Sequence, residues 1–246
     1  MSIETPEQLA GLMAIGKLVA ETLQLMKDSI KPGMTTGELD QIGADYLKKF
    51  GAKSAPQVTY GYPAMTCISI NDEAAHGIPG SRVIQKGDLV KLDVSAELNG
   101  YFADAAITVG VPPLTREQNR LIRAAQEALD MAIDAAVAGQ PVNAIGRAAE
   151  QATRRRGYRV IGELTAHGVG LALHEPPTIP HVYHPRFNQI LTNGLVVTVE
   201  PHITTGRGRL LTEDNGWVLR TTDGKPAANF EHTIVITDGK PLIVTA

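Results

Sequence analysis

Residues 88 to 109 read Asp88-Leu89-Val90-Lys91-Leu92-Asp93-Val94-Ser95-Ala96-Glu97-Leu98-Asn99-Gly100-Tyr101-Phe102-Ala103-Asp104-Ala105-Ala106-Ile107-Thr108-Val109. Asn-Gly between two strand-like runs is the strongest short-range signal for a two-residue hairpin turn, because both central positions need positive φ. Leu98 then pairs with Tyr101, and counting outward sets Asp93 opposite Ala106 and Asp104 opposite Ser95. The two aspartates become diagonal neighbours on one face, about 7 to 8 Å apart at the backbone. Two like charges on a half-buried sheet are destabilising unless a cation or a proton intervenes. The strand of Asp93 is apolar (Leu89, Val90, Leu92, Val94), a setting where an unpaired carboxylate is costly. On these residues alone, a solvated surface pair stays open as the alternative.

Helices precede the hairpin. Thr5-Pro6-Glu7-Gln8 has the Thr cap, first-turn Pro and returning Gln of a capping box. Leu9, Leu12, Met13, Val19, Leu23 and Met26 follow at helical spacing up to Lys31-Pro32-Gly33. A second helix opens at Thr35-Thr36-Gly37-Glu38 and stops at Gly51. The pattern recurs after the hairpin: Thr115-Arg116-Glu117-Gln118 opens a long helix expected to reach Gly139, and a shorter one runs from about Asn143 to Gly157. Gly33 to Gly51 and Gly139 to Gly157 are both 18 residues apart. This reads as a degenerate duplication, with halves of about 1–110 and 111–246 related by a pseudo-twofold within one domain spanning 1–246. Strands are expected at 66–70, 88–98, 101–109, 195–200, 217–221 and 230–237. Helices and strands come in blocks, which favours an α+β fold with a mainly antiparallel sheet covered by helices over a parallel doubly wound sheet.

The chain has 246 residues, 43% hydrophobic and 20% charged, with a net charge of −3, the profile of an ordinary soluble globular protein and not of a disordered one. No run of about 18 uninterrupted apolar residues occurs, and the start MSIETPEQ lacks a signal peptide's basic and apolar regions. A cytoplasmic protein is expected. The single cysteine, Cys67, excludes an internal disulfide and a cysteine-based zinc cluster. A metal site must therefore use His, Asp and Glu.

Candidates for such a site lie downstream. Ala166-His167-Gly168-Val169-Gly170 sets an imidazole among glycines that permit close approach, and His174 follows seven residues later. Glu200 ends the apolar run Leu195 to Val199 directly before Pro201, which fixes an extended backbone. Glu231 falls inside the strand expected at 230–237. Carboxylates are rarely buried without a partner. With Asp93, Asp104 and His167, these two glutamates make an oxygen-rich donor set suited to Mn, Fe, Co or Zn in a paired site. Their convergence does not follow from spacing.

Five segments carry a resemblance: Asn71-Asp72-Glu73-Ala74-Ala75-His76-Gly77-Ile78-Pro79; Asp93 with Asp104 eleven residues on; His167-Gly168 with His174; Val199-Glu200-Pro201; and Phe230-Glu231-His232-Thr233-Ile234. In order and spacing, over nearly the whole chain, they resemble the type I methionine aminopeptidases. The resemblance implies the pseudo-twofold pita-bread fold and removal of the initiator methionine. It implies two divalent metal ions per chain (Co, Mn, Fe or Zn), with Asp93, Asp104 and Glu231 binding both or bridging them and His167 and Glu200 completing one. It implies that Glu200 moves the water's proton and that His76 and His174 contact the scissile amide. Tyr62, Cys67 and Trp217 would line the pocket, with His76 and His174 also touching substrate.

The implied partners are peptide and nascent-chain N-termini, with a transient ribosome contact, no DNA and no membrane; the implied state is a monomer. Ala166, Ala105 and Leu173 replace a glycine, a hydroxyl residue and an aromatic usual in the family, and Pro56 and Thr59 replace a cysteine and a tyrosine of the pocket. A relative with another first-residue or X-Pro specificity, and a non-catalytic pita-bread binding module, stay open. His181 and His184 lie between prolines that argue against a helix aligning them, so a loop is expected. His232 should face away from Glu231. Arg154-Arg155-Arg156 serves a helix end and its solvation, or the ribosome contact.

Overall fold

Asn99 and Gly100 both adopt positive φ, 53° and 84°, and the hairpin they close has the register that counting gives: Leu98 with Tyr101, Asp93 with Ala106 and Ser95 with Asp104. The computed structural model describes residues 1–246. Its helices are α1 (Pro6–Ser29), α2 (Thr36–Lys49), α3 (Ala55–Tyr60), α4 (Arg116–Asp134) and α5 (Asn143–Arg155). Its strands are β1 (Lys53–Ser54), β2 (Cys67–Ile70), β3 (Glu73–Ala75), β4 (Leu89–Leu98), β5 (Tyr101–Gly110), β6 (Arg159–Val160), β7 (Thr165–Gly168), β8 (Glu175–Pro180), β9 (Val196–Val199), β10 (His202–Thr204), β11 (Leu210–Thr212), β12 (Leu219–Thr221), β13 (Ala227–Asn229), β14 (His232–Val235) and β15 (Leu242–Ile243).

Every strand pairing is antiparallel. Strand β4 carries β5 on one edge and β1 and β2 along the other, while a five-stranded sheet runs β15-β14-β9-β7-β8. Two smaller sheets, β13-β10-β6 and β11-β12-β3, complete the set. Strand β5 is joined to the carboxy-terminal half by a ladder partly made of hydroxyls. The Asn229 N–H donates to Thr108 Oγ1 and that hydroxyl to the Asn229 carbonyl; the Glu231 N–H donates to the Ala106 carbonyl; the Asp104 N–H donates to Thr233 Oγ1, and that hydroxyl to the Asp104 carbonyl. The steps of two keep Asp104, Ala106 and Thr108 on one side of the pleat.

Helices cover this frame. Thr5, Thr35 and Thr115 each close a capping box, satisfying first-turn N–H groups that otherwise lack a partner. Helix α1 is long and apolar enough by length and composition to cross a membrane. Its Leu12, Ile15, Val19 and Met26 are fully buried in the main core cluster with Val90, Leu92, Val94 and Ala103 of the hairpin. Each such side chain contributes about 1.5 to 3 kcal/mol relative to exposure. Helices α4 and α5 pack on one another and on the second half of the sheet.

Several boundaries differ from expectation. Helix α4 ends at Asp134 and not near Gly139, because the next segment bonds elsewhere: the Ala138 N–H reaches the Thr237 carbonyl and the Gly139 N–H the Leu191 carbonyl. Trp217 lies in a turn and not a strand, since Asn215 Oδ1 accepts from the N–H groups of Trp217 and Val218. The run expected at 230–237 shortens to β14, which pairs with β9; a separate strand, β13, ends just before it at Asn229 and pairs with β10, so the chain breaks at Phe230-Glu231. The partner run breaks at Glu200-Pro201 in the same way. Both glutamates thus stand where a strand pair passes from one sheet to the other. Released from ladder positions, they turn inward.

Candidate metal centre

Pro201 supplies no N–H to continue a ladder, which helps to break the chain at Glu200. Beside it, Glu231 spends its N–H on Ala106 of the hairpin. The hairpin brings Asp93 and Asp104, and β7 brings His167, a strand that the glycine-rich sequence did not disclose. All five residues line one cavity of about 430 Å³, together with His76 and His174. His167 Nε2 lies 3.6 Å from Glu200 Oε1 and 4.0 Å from Asp104 Oδ2. Ligand atoms of Asp104, His167 and Glu231 all fall within 4.8 Å of one another.

Neighbours fix most of these groups. Ser95 donates to Asp104 Oδ1 at 2.8 Å and sits 3.4 Å from Asp93 Oδ1. Thr198 donates to Glu200 Oε1 at 3.1 Å. His167 Nδ1 lies 2.9 Å from the Gly168 carbonyl, an acceptor only, so Nδ1 carries the proton and Nε2 turns its lone pair toward the carboxylates. Burial pushes the His167 pKa down to about 4, which keeps the ring neutral. His76, at φ 55°, precedes Gly77, where a Cβ would come within 2.3 Å of the Ile68 carbonyl oxygen. Only glycine lets the chain pass this close to β2. The Glu175 carboxylate accepts from the N–H groups of Leu171 and Ala172 and pairs with the Met1 amino group, folding the loop that carries His174. The His174 ring lies 4.0 Å from that of His167, centre to centre.

The electrostatics call for cations. Burial and then Asp104 raise Asp93; burial raises Asp104 against the hydrogen bond from Ser95; burial, Asp104 and Asp93 raise Glu200; and burial, Asp104 and Glu200 raise Glu231. Glu231 Oε1 is buried without a hydrogen-bond partner. Such orphaned oxygens are uncommon in folded proteins, and a divalent ion is the partner that this donor set fits.

Beside the cluster the cavity has an apolar wall. Tyr62 and Trp217 meet edge to face at 5.1 Å, and Tyr62 donates to the Gly77 carbonyl at 2.8 Å. Cys67 is buried with Tyr62 and Ala64. Burial and then Asp93 raise its thiol pKa, so it packs as a small apolar group. Every site residue expected from sequence therefore reaches the cavity. His232 faces away, its Nδ1 3.0 Å from Thr245 Oγ1.

Sequence reasoning missed Tyr60, Leu164, Thr165 and His202, which also line the cavity. Residues 181–184 form a loop as expected, yet His181, directly after β8, is buried and stacks on His202 at 5.9 Å. The adjacency of His202 to Glu200-Pro201 was the available signal for that pair.

A mainly antiparallel fold that gathers buried carboxylates, a neutral imidazole and an apolar slot in one cavity has the character of a metal-dependent hydrolase. Residues 10–238 match the model of metallopeptidase family M24, and the chain belongs to that family. It is 40% identical to methionine aminopeptidase 2 of Bacillus subtilis over 100% of this chain and 99% of that one. It is 37% identical to the methionine aminopeptidase of Clostridium perfringens over 94% and 92% of the two chains. Among solved structures, the methionine aminopeptidase of Thermotoga maritima superposes with a TM-score of 0.96 at 33% identity, covering 100% and 99%. The prolidase of Pyrococcus furiosus shares the fold at a TM-score of 0.78 and 22% identity, but this chain spans only 65% of it.

Proposed function

We propose that this chain hydrolyses the peptide bond that follows an N-terminal methionine. The observation that carries the reading is one cavity in which a buried cluster of four carboxylates and a neutral imidazole adjoins a slot walled by Tyr62, Cys67 and Trp217. Asp93, Asp104, His167, Glu200 and Glu231 would hold the metal, read as two divalent ions of the Mn, Fe, Co or Zn kind. Bound there, such ions supply Lewis acidity toward the scissile carbonyl and lower the pKa of a water.

The chain's own residues do the rest. Glu200, held above its usual range by burial and its acidic neighbours, takes the water's proton and delivers it to the leaving amine. His76 and His174 stand at the cavity and donate hydrogen bonds to the carbonyl oxygen or amide as charge develops, about 3 to 4 kcal/mol for one such donor. The slot admits a long, unbranched apolar side chain. Substrates on this reading are peptide and nascent-chain N-termini.

Hydrolysis of a Met-Gly-Met peptide with added Mn(II) or Co(II), beside Ala-first and X-Pro controls, tests the proposal. Release of methionine from the first peptide alone is the expected result. Preference for a control peptide would move the specificity elsewhere, and no turnover with no metal bound would leave a binding module.

A further inference from the structure

Tyr60 is the last residue of α3, at the rim of the cavity and half-exposed. The helix is anchored at its other end, where Ser54 caps it and pairs with Ala96 of β4. Gly61, at φ 71°, then turns the chain so that Tyr60 and Tyr62 flank it. Tyr62 enters the slot. The Tyr60 hydroxyl instead crosses the rim to His174 Nδ1 at 2.7 Å, with ring centres 5.5 Å apart. His174 is thus held between the His167 ring on one side and the Tyr60 hydroxyl on the other.

From this geometry we infer that Tyr60 is a positioning residue, whose hydroxyl donates to Nδ1 of His174 and so fixes the ring as the tautomer with its proton on Nε2. A neutral imidazole carries one N–H, and which nitrogen bears it follows from the bond the other nitrogen makes. Two arrangements satisfy the contact. If Nδ1–H donated to the phenol oxygen, Nε2 would turn a lone pair to a cavity lined by Asp93, Asp104, Glu200 and Glu231. Lone pair against carboxylate is repulsive. With the phenol as donor, the proton sits on Nε2, the nitrogen not engaged by Tyr60, and is ready to donate to a substrate carbonyl or amide in the cavity that His174 lines. The assignment rests on the methionine-peptide reading for its catalytic consequence, but not for the tautomer itself.

Tyr60→Phe removes one oxygen at a half-exposed position and keeps the ring. Two readouts decide. Ring nitrogen-15 NMR of the metal-free protein, with His174 assigned by His174→Gln, should show Nε2–H in the wild type and a shift toward mixed tautomers in the variant. In peptide hydrolysis, kcat should fall about tenfold, less than the loss of a whole oxyanion donor, with KM changed less than about twofold. A wild-type ring protonated on Nδ1, a Tyr60→Phe ring with unchanged tautomer, or an active wild type whose kcat survives the substitution each overturns the assignment. Should the wild type cleave no methionine peptide, the functional reading fails by itself, and the NMR experiment still decides the tautomer.

Discussion

Asp104 and Thr233 are clasped by two reciprocal hydrogen bonds, the Asp104 N–H to Thr233 Oγ1 at 3.0 Å and that hydroxyl to the Asp104 carbonyl at 2.8 Å. The residues lie 129 apart in sequence and on opposite sides of the seam where β5 meets the carboxy-terminal strands. Four residues along β5, Thr108 makes the same clasp on Asn229, at 3.0 and 2.7 Å. A threonine hydroxyl both accepts and donates, so one side chain stands in for a pair of ladder bonds where the backbones do not pair directly. Glu231 sits between the clasps, aimed at the cavity.

The two clasps should separate stability from metal binding. Thr233→Val and Thr108→Val each leave a buried N–H and carbonyl short of a partner, a loss of about 1 to 3 kcal/mol per group left unsatisfied. Denaturant unfolding should show both variants destabilised. Only Thr233→Val loosens Asp104 against Glu231, so isothermal titration should find weaker Mn(II) binding for that variant and near-normal binding for Thr108→Val. Equal affinities would mean that the clasp does not position the ligands.

Raised carboxylate pKa values make the metal-free protein a sensor of its own acid cluster. Asp93, Asp104, Glu200 and Glu231 all sit above their usual range in the fold. Their contribution to stability is fully present below the unfolded carboxylate range and is lost as pH rises through the raised values. His167 works the other way: with its pKa depressed to about 4, it costs stability as pH falls below its unfolded value. Comparison with Asp104→Asn isolates the acidic part. Thermal melts should find the metal-free variant more stable than wild type at pH 7.5, with the gap narrowing toward pH 5. Added Mn(II) at a hundred times its dissociation constant should raise wild-type stability by about 2.7 kcal/mol.

How much of this was legible follows from the range of each signal. The Asp93–Asp104 hairpin was readable because the strand period of two and the Asn-Gly turn are local. Strand β7 was not: Ala166-His167-Gly168-Val169-Gly170 has no alternation, and its pairing with β8 and β9 is set by distant partners. Glu200 and Glu231 were found as carboxylates in strand-like runs, but their inward turn comes from strands changing sheets, a tertiary event. Tyr60 left no trace at all. Its partner His174 lies 114 residues away, and its own segment has no periodic pattern.

Gly168 should resist substitution for a steric reason independent of charge. A Cβ there would meet the Pro176 carbonyl oxygen at 2.3 Å and that of Glu175 at 2.9 Å, backbone atoms that cannot move aside without shifting His167 or the loop bearing His174. Gly168→Ala should therefore lower kcat/KM by about a hundredfold, the usual cost of displacing a catalytic group by about 1 Å. Alanine at Gly51, where nothing lies within 4 Å and only the positive φ of 77° resists, should leave kcat unchanged and cost stability alone. Peptide hydrolysis and thermal melts on both variants check the contrast.

Glu200→Gln keeps the acceptor for the Thr198 hydroxyl and the side-chain volume but removes the base. General acid and base transfer contributes about 10² to 10⁴ in rate, so kcat on Met-Gly-Met should fall by at least about a hundredfold. Full activity in this variant would remove Glu200 from proton transfer.

Trp217→Ala should act on the other kinetic constant. Trp217 packs edge to face on Tyr62 at 5.1 Å and is an apolar wall of the slot, so its contact with the substrate side chain should be the same in the ground state and the transition state. Losing uniform binding raises KM and leaves kcat nearly unchanged. A pocket that gains or loses a methylene discriminates by only about 1 to 3 kcal/mol; the enlarged slot should accordingly admit bulkier first residues at the expense of methionine, seen as a narrowed ratio of kcat/KM between Met-first and Phe-first peptides. A fall in kcat at constant KM would place Trp217 with the reacting groups and not with the slot.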